Sequence, residues 1–141
     1  MPYAHITIKP DGSVNVDRIS GGLYEIKVFA DDKIVAVGDG RFIFEIPQDI
    51  GGLRLIKVEA WVTTVGTSGT ALIQIRNVTQ AVDMLSTRIN IDLNKKNSKD
   101  ATTQPVINTA NDDVVWGDHI AVDVDAVTSG SKGLGVNLTF G

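Results

Sequence analysis

The residues best suited to do chemistry lie in GDHIAVDVDAV, Gly117 to Val127, where Asp118, His119, Asp123 and Asp125 crowd together. Carboxylates two positions apart can hold a metal ion or do acid/base chemistry, and a histidine beside them adds a third group of the right kind. A calcium loop needs further oxygen ligands, a central glycine and a terminal bidentate glutamate. DVDAVTSG supplies two aspartates and no following glutamate.

Alternation gives these residues a different meaning. Ile120, Val122 and Val124 recur at every second position, the period of a strand with one buried face. If they face a core, His119, Ala121, Asp123 and Asp125 point to the opposite, solvent side, and Asp118 falls in a turn after Gly117. The acids then read as the wet face of a strand, as do Asn90 and Asp92 in RINIDLN and Asn137 and Thr139 in GVNLTF. Both histidines, His5 and His119, read as solvent-facing. GTSG at Gly66–Gly69 lacks the G-x-S-x-G of a nucleophile elbow. Gly38-Asp39-Gly40 and SGSKGLG lack the spacing of phosphate-binding loops, and read as hairpin turns. No base, orienting partner and electrophilic hole occur together, so no catalytic residue, metal or cofactor is expected.

The same period runs through the chain: Ile6, Ile8; Tyr24, Ile26, Val28; Phe42, Phe44, Ile46; Ile56, Val58, Ala60, Val62; Ile73, Ile75; Ile89, Ile91, Leu93; Val136, Leu138, Phe140. Turn chemistry separates the segments, at Pro10-Asp11-Gly12, Gly21-Gly22, Gly51-Gly52, Asn111-Asp112-Asp113 and Thr128–Gly133. The pattern predicts an all-β fold, an antiparallel β-sandwich of jelly-roll type. One short helix is expected at Thr79–Ser86.

With 141 residues, 43% hydrophobic and 21% charged, the chain suits one globular domain. It has no cysteine, so neither disulfides nor thiolate chemistry is available. The start, MPYAHITIKP, lacks the apolar stretch of a signal peptide, and no run is long enough for a spanning helix; no membrane partner is expected. The net charge of -4 is unevenly spread: residues 1–50 carry 5 basic and 8 acidic side chains, 51–99 carry 7 and 3, and 100–141 carry 1 and 6. A basic middle between acidic flanks argues against a nucleic-acid partner; it reads first as a solvated face, and otherwise suits docking onto copies of the chain or another protein surface.

Some large apolar residues fall on the wrong side of their strands. Ile43 lies opposite Phe42 and Phe44, Trp61 interrupts the polar row Lys57, Glu59, Thr63, and Phe29 continues the row Glu25, Lys27. Such residues are covered by the chain itself or form an interface. Residues 1–22 read as an arm, a β-hairpin followed by a Ser-Gly-Gly hinge, and 23–141 as the sandwich. A two-stranded ribbon is marginal alone, so Tyr3, His5, Ile6 and Ile8 are expected to lie on something, either their own sandwich or a neighbour's sheet edge.

The stretches AVGDGRFIFEIP, LIKVEAWVTTVGTSGTALIQIRN, DMLST and GDHIAVDVDAVTSGSKGLGVNLTF resemble the capsid decoration (auxiliary, or cement) proteins of long-tailed bacteriophages of thermophilic bacteria. The resemblance covers roughly Val35 to the C-terminus. It implies a jelly roll, a homotrimer bound to the major capsid protein on the outer surface of the virion, assembly in the host cytoplasm, and an arm reaching a neighbouring subunit. It brings no catalytic residue. The scarcity of labile groups, with two methionines and no Asn-Gly step, suits a hot or long-lived particle. The competing expectation is a head-fibre or glycan-binding module, against which the loops TTVGTSGT and TSGSKG, lacking any aromatic residue, count.

Overall fold

In the computed structural model, residues 4–8, 14–19 and 22–141 are described, with side chains from 22 onward. Alternating segments become strands: β1 (Ala4–Ile8), β2 (Val14–Ile19), β3 (Gly22–Lys27), β4 (Gly38–Glu45), β5 (Leu55–Thr64), β6 (Thr70–Asn77), β7 (Val82–Asp83), β8 (Leu85–Thr87), β9 (Ile89–Asp92), β10 (Val106–Ile107), β11 (His119–Ala126) and β12 (Lys132–Phe140). Among the described residues the only helix is a 3-10 turn at Ser98–Asp100, and no helix is long and apolar enough to cross a membrane.

Among the described residues every strand pairing is antiparallel. A three-stranded sheet runs β3-β12-β5, and a five-stranded one runs β4-β11-β6-β7, with β9 also on β6. Their facing sides supply one core: Ile26, Val58, Leu134, Val136, Leu138 and Phe140 from the first, Ile73, Ile75, Ile89, Ile91, Ile120, Val122 and Val124 from the second. Each such aliphatic side chain contributes about 1.5–3 kcal/mol by leaving water. The chain is thus an all-β, sandwich-like fold.

Several expectations need correction. Thr79–Ser86 is not helical: Ala81 takes φ 58°, Val82 and Asp83 pair with β6, and Met84 donates to the Ile75 carbonyl at 2.8 Å. Eight residues are too few for a self-sustaining helix, and the free edge of β6 offers better partners. Gly38-Asp39-Gly40 lies inside β4 rather than in a hairpin turn; Gly40 has φ 62° where the pairing with β11 slips. At the start of β5, Leu55 pairs with Phe140 and Lys57 with Thr139, so the extra residue Ile56 is extruded and Leu55 takes the core position. Leu93 lies beyond the end of β9 and is exposed. Phe42 is 36% exposed because β4 is an edge strand.

The edge strands β3 and β4 meet across the core opening. Tyr24 stacks on Phe44 with centroids 4.6 Å apart and meets Phe140 edge-on at 5.7 Å. Strands β1 and β2 form a separate two-stranded sheet, with Ile6 opposite Val16 and Ile8 opposite Val14. Tyr3, the Pro10-Asp11-Gly12 turn and Ser20-Gly21 lie outside the described residues, as do the side chains of His5, Ile6 and Ile8.

Candidate functional site

Strand β11 sits between β4 and β6, so its outward side is far from wet. Asp123, expected in solvent, is 4% exposed, and Ala121 beside it is fully buried. The Asp123 carboxylate accepts a fork from Arg76, at 2.7 Å from Nε and 3.1 Å from Nη2, and a third bond from the Gly40 N–H at 2.7 Å. The irregularity in β4 is what aims that amide. The Asp123 hydrogen bond holds the Arg76 guanidinium above its ordinary pKa. Asp125, two residues on, keeps the expected exposed position and meets Arg88 at 3.0 Å. The two carboxylates are engaged by different arginines and do not converge.

Asp118 is in the expected turn but is buried, and it ties three segments together. Its Oδ2 accepts from Asn77 Nδ2 at 2.9 Å, Gln80 Nε2 at 2.8 Å and the Val115 N–H at 2.9 Å. Burial opposes its ionisation, but the bonds from Asn77, Val115 and Gln80, with nearby His119, outweigh that and hold its pKa below the ordinary value. His119 is exposed, as expected. Among the described residues no group of three His, Cys, Asp or Glu side chains is placed to hold a metal ion. Every buried polar side-chain atom there has a hydrogen-bond partner.

The wrong-side apolar residues divide. Trp61 is half-buried by its own chain: its ring lies where a Cβ on Gly135 would come within 2.3 Å, and Lys27 Nζ sits 3.9 Å from a ring centroid. Phe29 packs against the core, with the Arg41 guanidinium 5.8 Å from its ring. Ile43 alone of the three stays open, 52% exposed on the free edge of the five-stranded sheet. Sequence reasoning missed Trp116, 63% exposed beside Val115 at 55%. The signal was there: Val-Trp-Gly-Asp is a turn sequence, and its second residue sits at the outer corner.

The shallow grooves flanking Trp61 are lined by Glu25, Lys27 and Asn137 on one side and Glu59, Asn97 and Lys99 on the other. Asn137 donates to Glu59 at 3.2 Å. Comparison of the chain with protein-family profiles, curated proteins and solved structures finds no match in any of the three.

Proposed function

We propose that the chain is a structural virion protein without catalytic activity, binding the outside of a phage capsid as a homotrimer and reinforcing the shell. The observation that carries this reading is the open side of the sandwich. Edge strand β4 bears exposed Phe42 and Ile43, and on the other edge strand β3 Leu23 is 56% exposed. A free edge flanked by apolar side chains recruits another strand or sheet face. The self-paired ribbon β1–β2, with alternating Ile6 and Ile8, has the dimensions of such an addition. On this reading Ile43 meets the neighbouring subunit directly, the ribbon is the reaching arm, and the connectivity is that of a jelly roll. Trp61 and Phe29, covered within the chain, are subsidiary to the contact. Many weak sites on one shell then add free energy that exists only in the assembled particle.

The test is co-sedimentation with purified, expanded empty shells of the phage that encodes the chain. Saturable binding and a higher rupture temperature of the shells are expected. Absence of binding at micromolar concentration would overturn the reading.

A further inference from the structure

The end of the sandwich formed by the β4–β5, β6–β7 and β10–β11 connections carries a feature that the β3/β4 edge does not explain. Val115 accepts a bond from the Asp118 N–H at 2.9 Å, and Gly117 between them has φ 95°, the arrangement of a type II turn with Trp116 at its corner. Four neighbours fix that turn. Gly117 donates to the Ile46 carbonyl at 2.9 Å, and Ile46 donates to that of Asp118 at 2.7 Å. Gly51 packs so closely that a Cβ there would come within 2.7 Å of the Trp116 nitrogen. Asn77 and Gln80 hold Asp118 from β6 and the turn after it.

A tightly held backbone thus presents a large indole to water, with exposed Val115 and Val78 on the same end. Tryptophan is among the side chains that most often dominate a protein contact, and a held backbone lowers the ordering entropy lost when it is buried. The charge around it is mostly negative. Glu45 at the end of β4, whose carboxylate lies 3.9 Å from the position of a Cβ on Gly117, is exposed, as are Asp49 and Asp113 on the connections that frame the turn. Arg54, the nearby cation, is 3.5 Å from Asp112.

We propose that Trp116 is a docking knob that inserts into an apolar slot rimmed by lysine or arginine on a folded protein partner. This rests on the shell-binding reading and names the contact to the capsid subunit, separate from the edge used between copies. An indole with carboxylates nearby can also stack on a sugar, so binding to a glycan array is the outcome that would point away from a protein slot. Carboxylates around an apolar centre match a basic rim, which steers approach and is screened by salt.

The experiment measures binding to purified empty shells by the full-length chain, Trp116→Ala, and the triple variant Glu45→Gln, Asp49→Asn, Asp113→Asn. Trp116→Ala should bind at least tenfold more weakly, mainly through faster release. The triple variant should bind more slowly at low salt and lose most of the salt dependence. Both should keep the melting temperature and sedimentation coefficient of the parent. In Trp61→Phe, which leaves Trp116 as the sole indole, emission should shift to the blue on shells. Binding by Trp116→Ala within twofold of the parent overturns the knob while leaving the shell-binding reading intact. Loss of the oligomer in Trp116→Ala overturns it too, by moving the residue to a self-contact, as does loss of glycan-array binding with shell binding unchanged. If the parent does not bind shells, both proposals fall together.

Discussion

The chain has two tryptophans, and the molecule treats them in opposite ways. Trp61 stands on the outer face of the β3-β12-β5 sheet, where alternation puts it in solvent, yet Gly135 beneath and Lys27 above seat it. Trp116 occupies a four-residue turn and is left open, although the backbone carrying it is anchored on three sides. One region uses its indole to cover a glycine in a central strand, as aromatic residues do across sheets. The other uses hydrogen bonds to hold an indole out. A residue that alternation places in solvent is thus half covered by its own sheet, while one that reads as a loop residue stays open.

Substitutions should separate seated groups from presented ones, and the largest loss belongs to the best-seated charge. Asp123→Asn leaves Arg76 without its counter-ion in a pair whose side chains are 6% and 30% exposed, and should cost about 3 kcal/mol in urea denaturation. A loss below about 1 kcal/mol would mean that the burial of β11 does not depend on the pair. Gly135→Val drives a side chain into the seat of Trp61 and should cost about 2 kcal/mol. That cost should shrink in a Trp61→Ala background, a coupling a double-mutant cycle detects.

Next comes the anchor of the presented turn. Asp118→Asn keeps an acceptor but loses its charge, and should cost about 1–2 kcal/mol at neutral pH. Because the folded pKa lies below the ordinary 3.8, the contribution of Asp118 is complete above that value and is lost as pH falls through the folded pKa. The melting-temperature gap between parent and variant should accordingly close in acid. Smallest of all are Asp125→Asn and Trp116→Ala, each within about 0.5 kcal/mol of the parent. A large destabilisation by Trp116→Ala would erase the distinction between the two regions.

Much of the fold was legible because a period of two is a local property. Ile73, Ile75, Ile120, Val122, Val136 and Leu138 face inward as the pattern requires. What failed was non-local. The period tells which side of β11 Asp123 occupies, but its partner Arg76 arrives on β6, 47 residues away in sequence, and no local pattern announces that neighbour. The same applies to Ile56, displaced by a one-residue slip against β12 that only the pairing reveals. Thr79–Ser86 looked helical in isolation and lost to a free strand edge. Trp116 is different in kind: Gly117-Asp118 marks the turn locally, but how far the residue at its corner stands out from the surface depends on the neighbours that hold the turn.

The central claim is that this chain works by assembling through the open side of its sandwich, and sedimentation of the purified protein tests it most directly. At micromolar concentration the full chain should sediment as a trimer. Removing residues 1–20 should leave β circular dichroism intact while weakening that trimer, since the ribbon would no longer reach a neighbouring edge. Outright unfolding of the truncated chain would return the ribbon to its own subunit's core. A full-length chain that sediments as a monomer would contradict the account.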